Sequence, residues 1–164
     1  MKELVRIYYL KILYFYFKFV LRLVNNKSKI YFIDFDFTLA IHHDFSKKNK
    51  RWDLSSSQVN LEVINILNQE HNWVLFTARG IRSYRELMFW LAKKNLKPIY
   101  CIFLGSTKNK IKFIRNECSN FDEVIWVDDL CDFDHVTKNL IYHEVLDLPT
   151  NINLIRIPCT YLNK

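Results

Sequence analysis

The sequence predicts an α/β fold, a three-layer Rossmann-like arrangement in which a mostly parallel five-stranded sheet lies between helices. From residue 30 onward, short β-rich runs alternate with segments of helical length. Such alternation implies right-handed crossovers between parallel strands. The chain has 164 residues, 50% of them hydrophobic and 16% aromatic, which suits one well-packed core. We therefore expect a single domain over residues 29–164, preceded by a separate segment, residues 1–28.

Five runs have the composition of strands, and four segments between or after them have helical character. The strands are expected in "KIYFID" (29–34), "WVLFT" (73–77), "PIYCIFL" (98–104), "EVIWVD" (123–128) and "INLIRI" (152–157), and the helices over 55–70, 83–95, 107–118 and 133–140. In the first helix, Val59, Val63 and Ile66 recur near helical spacing. The serines at its start are residues that can cap a helix.

Polar side chains follow the ends of these strands. Asp34 and Asp36 come after the first strand, Thr77 ends the second, and Asp128 and Asp129 end the fourth. Because ligands of open parallel sheets bind beyond the carboxyl ends of the strands, we expect these groups on one rim. Two carboxylates as close as the first pair repel each other, so either a cation lies near them or one holds a proton.

Several classes of site are disfavoured. The four cysteines are widely separated, which predicts reduced thiols in a cytoplasmic protein rather than a zinc site or disulfides. The pair His42 and His43 lies in a polar loop and is expected on the surface rather than on a metal. With Gly80 and Gly105 as the only glycines, a Gly-rich phosphate loop is excluded.

The net charge of +7 is concentrated at the N-terminus. Residues 1–29 contain seven Lys or Arg against one acid, Glu3, a net of +6, so the rest of the chain carries only +1. The near-neutral remainder gives little support to a groove for nucleic acid.

Four short motifs carry a resemblance to a known family. In order, "DFDFT" (34–38), "FTARG" (76–80), a lysine that opens a helix, and "WVDD" (126–129) resemble the motifs of the haloacid dehalogenase (HAD) superfamily of phosphohydrolases. The resemblance covers residues 30 to about 157. Each piece alone also fits a turn or a helix cap.

The resemblance implies a phosphatase that works through an aspartyl-phosphate. In that interpretation Asp34 is the nucleophile and Asp36, on the same side of an extended chain, is the acid and then the base. Thr77, the Ala78 amide and a motif lysine would bind the phosphoryl group; Lys110 is the first choice and Lys108 the alternative. Arg79 would contact either the substrate or a carboxylate on the rim.

The resemblance also implies a Mg²⁺ ion. Its ligands would be Asp34, the backbone carbonyl of Asp36, and Asp128, with Asp129 as a further ligand or an outer partner. Asp132 would orient the lysine. The chain departs from the commoner family pattern at Phe37, where glycine is usual.

The substrate is expected to be large or incompletely enclosed. Between the first two motifs, the chain has room for a β-hairpin flap and a helix but for no cap domain, so a phosphosugar, a glycan intermediate or a macromolecule would fit, unless a second subunit closes the site. Two alternatives stay open: a non-catalytic phosphate-binding or scaffold module, and a phosphatase of nucleic-acid ends, suggested by basic residues of the flap (Lys47, Lys48, Lys50 and Arg51).

Residues 1–24 predict an amphipathic helix. Lys11, Lys18 and Arg22 fall close together on a helical wheel, with Tyr9 and Tyr16 on the opposite side. The apolar run is too short and too charged to span a bilayer, and no signal-peptide cleavage pattern is present. The helix is expected on an anionic membrane surface or in a partner's groove, with packing on the protein's own sheet as the alternative.

Overall fold

The computed structural model describes most of the expected domain and part of the N-terminal segment. The described residues are 29–43, 45–46, 51–67, 72–118, 121–130 and 148–158, together with helical residues at positions 5, 8, 9, 11, 12, 15, 16 and 19. Several expected features lie outside the described residues: the helix over 133–140, Asp132, Cys131, Cys159 and the flap lysines.

A five-stranded parallel sheet forms the centre of the domain, as predicted. Its long strands are β1 (Lys29–Ile33), β6 (Trp73–Thr77), β7 (Tyr100–Phe103), β8 (Glu123–Asp128) and β9 (Ile152–Arg156). They lie in the order β7-β6-β1-β8-β9, and every pairing is parallel. The chain therefore builds outward from β1 first in one direction and then in the other, which places a crevice at the carboxyl end of β1.

Helices cover both faces of this sheet. They are α1 (Leu61–Leu67), a 3₁₀ turn (Ile81–Ser83), α2 (Tyr84–Lys93) and α3 (Thr107–Glu117). Alternate strand residues point to opposite faces. Ile33, Leu75 and Val127 accordingly pack with Val63 of α1 and Leu87 of α2. Phe32, Phe76 and Trp126 point the other way and pack with Ile111 and Ile114 of α3. The result is the three-layer arrangement expected from the alternation of elements.

The start of α1 differs from the expectation. The helix begins at Leu61 rather than near residue 55, and its cap is Asn60, whose Oδ1 accepts a hydrogen bond from the Glu62 amide at 3.1 Å. The serines expected to cap it belong to the preceding loop, where the Ser55 amide donates to Asp53 Oδ1. Asparagine caps as well as serine, so several residues in this polar run compete for the position.

A small antiparallel flap separates β1 from α1. It consists of β2 (Ala40–Ile41) paired with β5 (Gln58–Val59), and β3 (Phe45–Ser46) paired with β4 (Arg51–Trp52). The nested pairing is that of a hairpin, as the length of the segment predicted. Within the described residues between β1 and β6, the chain forms this flap and α1 and no further domain.

The turn after β1 contains a strained residue. Phe37 has a φ of 59°, a left-handed backbone conformation that disfavours a bulky side chain by about 1–2 kcal/mol. Its ring is buried and meets the rings of Trp52 and His42 edge-on, with centroids 4.9 and 5.1 Å away. These contacts hold an aromatic residue where glycine would be relaxed, so the flap and the turn stabilise each other.

This strain predicts opposite rankings of Gly and Ala at two neighbouring phenylalanines. Replacing Phe37 or Phe35 removes a buried ring and should cost about 3–5 kcal/mol in either case. At Phe37 the glycine variant should be more stable than the alanine variant by about 1 kcal/mol, whereas at Phe35, whose φ is not positive, alanine should be the more stable by about 0.5–1 kcal/mol. Urea unfolding of the four variants measures this, and the same ranking at both positions would contradict a strained Phe37.

Candidate functional site

The parallel register brings acidic residues of β1 and β8 side by side. Ile33 is level with Val127, and the Asp34 amide donates to the Val127 carbonyl at 2.9 Å. Asp34, one residue past the end of β1, therefore lies beside Asp128 at the end of β8. Both carboxylates are buried, as is that of Asp129.

Lys110 of α3 joins two of these carboxylates. Its Nζ lies 2.6 Å from Asp34 Oδ1 and 2.6 Å from Asp128 Oδ2, and only 2% of the residue is exposed. Burial alone would lower the pKa of Lys110, but Asp128 and Asp34 raise it well above its usual range. Lys108, the alternative from the sequence, is exposed. The structure thus brings Lys110 to the cluster and leaves Lys108 outside it, although a lysine in the first turns of a helix is unfavourable to the helix dipole.

Three groups that the sequence did not single out fix the cluster. Trp126 Nε1 donates to Asp128 Oδ2 at 2.9 Å, and the Leu130 amide donates to Asp128 Oδ1 at 2.8 Å. Thr38 Oγ1 accepts from the Asp129 amide at 2.9 Å, which ties the turn after β1 to the loop after β8. Leu130 has a φ of 56°, so this second loop is strained as well. Thr38 belongs to the "DFDFT" motif and Trp126 to "WVDD". Their place in these motifs was the sequence signal that could have identified them as site residues.

The buried cluster carries more negative than positive charge. When all three carboxyl groups are ionised, Asp34, Asp128 and Asp129 together with the Lys110 ammonium have a net charge of −2. Burial raises the pKa of Asp34 to about 8, against the pull of Lys110, and Asp128 and Asp36 add to the rise. Oxygen atoms of the three aspartates lie within 4.8 Å of one another. Carboxylate oxygens suit a hard cation such as Mg²⁺, and a divalent ion would offset the excess charge, so the donor set fits the ion.

Asp36 belongs to a different group of side chains from Asp34. The chain turns sharply after β1, with Leu39 and Ala40 amides donating to the Asp34 and Phe35 carbonyls, so the expected extended conformation is wrong. The Asp36 carboxylate accepts from Arg79 Nη2 at 2.7 Å and Nε at 3.0 Å, and lies 2.8 Å from His42 Nε2. Burial would raise the pKa of Asp36, but Arg79 and His42 hold that pKa well below its usual range.

This separation explains how two aspartates can lie one residue apart. Asp34 has its own cation in Lys110, and Asp36 has Arg79. Of the two roles expected for Arg79, the contact with a rim carboxylate is the one that the structure contains. The guanidinium also lies over the Phe35 ring, 5.2 Å from its centroid.

His42 is the main departure from the expected site. It was expected on the surface, but its side chain is fully buried, stacked on Trp52 at an interplanar angle of 20°. His43, by contrast, is exposed as predicted. No spacing in the sequence marked His42, because its neighbours in space come from the turn after β1 and from the flap loop.

The hydrogen bonds around His42 show that its Nδ1 atom carries a hydrogen. Ser57 Oγ donates its only hydrogen to the Asp53 carbonyl at 2.7 Å, so His42 Nδ1, 2.6 Å from the same oxygen, must be a donor. Nε2 faces Asp36 Oδ1. The Asp36–His42 pair therefore holds one shared proton, on Nε2 when Asp36 is ionised and on Asp36 when the imidazole is neutral.

Residues at the end of β6 form the accessible side of the rim. Thr77 is buried, and its Oγ1 accepts from the Arg79 amide at 3.1 Å, which leaves the hydroxyl hydrogen to donate. Ala78 and Arg79 are half-buried, and 24% of the Asp36 side chain is exposed.

Comparison with protein-family models, with curated proteins and with solved structures found no match to this chain.

Proposed function

We propose that this protein is a Mg²⁺-dependent phosphatase that hydrolyses a phosphomonoester through an aspartyl-phosphate on Asp34, as expected of a HAD-type phosphohydrolase. The observation that carries the proposal is the buried cluster of Asp34, Asp128, Asp129 and Lys110 at the carboxyl end of the sheet. A cluster of this kind is costly to bury, and structural needs alone are met more cheaply by apolar residues. Beside it lies a second pair, Asp36 and His42, that holds a transferable proton.

In the first step, Asp34 attacks phosphorus. A carboxylate oxygen of Asp34 forms the new bond to phosphorus while the bond from phosphorus to the ester oxygen breaks. The Lys110 ammonium, already 2.6 Å from Asp34 Oδ1, offsets charge on the nucleophile and on the phosphoryl oxygens. The Thr77 hydroxyl and the Ala78 amide are the donors that would orient the phosphoryl group.

The leaving oxygen needs a proton, and Asp36 and His42 supply it. The proton moves from His42 Nε2 to Asp36 and from Asp36 to the departing alkoxide, which leaves the imidazole neutral with its Nδ1 hydrogen on Ser57. In the second step a water molecule attacks phosphorus, its proton returns through Asp36 to His42, and phosphate and the Asp34 carboxylate are released. The depressed pKa of Asp36 makes it a poor acid alone, so the shared proton with His42 matters.

Asp34, Asp128 and Asp129, with the Asp36 carbonyl, are the groups that would hold Mg²⁺. When bound, the ion supplies charge stabilisation for the transferring phosphoryl group. A phosphosugar, glycan-linked phosphate or phosphorylated macromolecule is the substrate class we propose, since the described chain between β1 and β6 forms the flap and α1 but no cap domain.

Hydrolysis of an aryl phosphate tests the reaction class. Phosphate release should require Mg²⁺ and should disappear with a chelator, because the net charge of the cluster opposes an incoming phosphate dianion unless a cation is present. Acid-quenched enzyme that has reacted with a labelled substrate should carry label that hydroxylamine releases, as an acyl phosphate does. Phosphate binding without any turnover would instead indicate a non-catalytic binding module.

Substitution of His42 tests the proton step. His42→Gln should lower kcat by about 10–100-fold, since general acid–base catalysis contributes about 10²–10⁴-fold and Asp36 remains in place. KM should change little, because His42 contacts Asp36 and Ser57 rather than Thr77 or Lys110, which are proposed to bind the phosphoryl group. The effect should shrink for a substrate whose leaving group is a weak base and needs no proton. His43→Gln, at the exposed neighbouring position, is the matched control. An equal loss with good and poor leaving groups would assign His42 a purely structural role.

A further inference from the structure

An apolar stripe lies exposed on the N-terminal helix. Within the part of the chain that the structure describes, no helix is long and apolar enough to cross a membrane. The stripe consists of Val5, Tyr8, Ile12, Phe15 and Phe19, at alternating intervals of three and four residues, which is the spacing of one helix face. Their exposed fractions are 64%, 63%, 66%, 78% and 54%. Five large apolar side chains in one line exceed the scattered exposure that is normal for a surface.

One flank of the stripe contacts the domain through Tyr16, which is itself 51% exposed. The Tyr16 ring contacts that of Tyr100 in the edge strand β7, with centroids 5.3 Å apart, and Tyr9 is partly buried. The expected packing on the protein's own sheet is thus present on one side of the helix. The five residues of the stripe stay exposed beside this contact.

The charges next to the stripe indicate what covers it. Lys11, which is exposed, lies beside the stripe on the helix, and in the sequence Lys18 and Arg22 follow at the helical intervals of seven and four residues. Residues 1–29 carry a net charge of +6. A second copy of the helix would bring the same charge against it, and Glu3 is the only acid within residues 1–29. Repulsion therefore disfavours self-association and favours an anionic surface.

We infer that the stripe forms a docking face for an anionic lipid surface, with the helix lying in the plane of the membrane. Tyr and Phe side chains suit the boundary between headgroups and acyl chains. From Val5 to Phe19 the stripe is about 21 Å long, at 1.5 Å per residue, so the rings enter the lipid side by side. Basic side chains beside the stripe reach the headgroups. The contact through Tyr16 holds the edge of the sheet at β7 next to the membrane. This inference does not depend on the proposed chemistry.

Co-sedimentation of the full chain with lipid vesicles tests the inference. The protein should pellet with phosphatidylcholine vesicles containing phosphatidylserine, and at least about tenfold less with phosphatidylcholine alone. In the double variant Phe15→Ser with Phe19→Ser, binding to the anionic vesicles should fall by at least about tenfold for each ring removed. Phe89→Ser, on α2 and 73% exposed, removes an equally exposed ring outside the stripe and should leave binding unchanged. Because all three rings are exposed, the variants should keep the wild-type unfolding temperature.

A variant with altered charge provides a second test of the same inference. Lys11→Glu leaves the stripe intact and should reduce binding to anionic vesicles by about tenfold while leaving the weak binding to neutral vesicles unchanged. Equal binding to both vesicle types, or full binding by the double variant, would overturn the inference. If the wild type is a dimer that does not bind vesicles, and the double variant is a monomer, a second copy of the chain covers the stripe.

Discussion

Asp34→Asn should abolish phosphate release, with a loss of at least about 10⁴-fold in kcat under saturating Mg²⁺. The amide has almost the volume of the carboxylate but no nucleophilic charge, so substrate binding should survive while the covalent step is lost. Label released by hydroxylamine should also disappear. Turnover at even a tenth of the wild-type rate would rule out Asp34 as the nucleophile.

The same variant should not be unstable, which separates lost chemistry from lost folding. In metal-free buffer at pH 7, wild-type Asp34 must either take up a proton on folding or bury a negative charge near Asp128. The amide of Asp34→Asn does neither, so the free energy of unfolding of the variant should equal or exceed that of the wild type. The pKa of Asp34 is raised to about 8 in the folded protein from about 4 in the unfolded chain. The folded state therefore binds more protons, and the wild type should lose stability relative to the variant as pH rises from about 4 to about 8. Added Mg²⁺ should stabilise the wild type more than the variant.

Lys110→Ala should combine a large loss of activity with a loss of stability. Without this ammonium, Asp34 and Asp128 are left buried beside each other, and breaking a buried ion pair costs about 3–5 kcal/mol. The transition state also loses a cation, so kcat should fall by about a hundredfold or more. Thermal unfolding and steady-state kinetics measure the two effects. Because Mg²⁺ replaces part of the missing charge, it should raise the unfolding temperature of this variant.

Lys108→Ala is the matched control, two residues earlier on the same helix. Its side chain is exposed, so stability should change by less than about 0.5 kcal/mol and activity should stay near that of the wild type. Collapse of activity in Lys108→Ala with near-normal rates in Lys110→Ala would contradict the assigned role of Lys110 and leave the acidic cluster itself in place.

The strands were predicted closely because they are buried on both faces. Continuous apolar runs such as that of β8 occur where helices cover a sheet on each side, and the expected bounds of β8 are those observed. The start of α1 was wrong by several residues, because a run of serines and one asparagine all cap helices and local preference does not decide among them. The left-handed backbone conformation of Phe37 was not predicted, because local preference disfavours it for a bulky residue. Its strain is offset by contacts with the flap, whose Trp52 lies far from Phe37 along the chain.

The parallel α/β fold, the acidic residues at the strand ends and the concentration of positive charge before residue 30 could all be predicted from the sequence. These depend on periodicity and composition, which are local properties of the chain. Three pairings became visible only in the folded structure. Lys110 rather than Lys108 contacts Asp34 and Asp128, Arg79 binds Asp36, and His42 is buried against Asp36 and Ser57. These pairings join residues from different strands, helices and loops, and their distances depend on how the layers pack, which no spacing within one segment encodes.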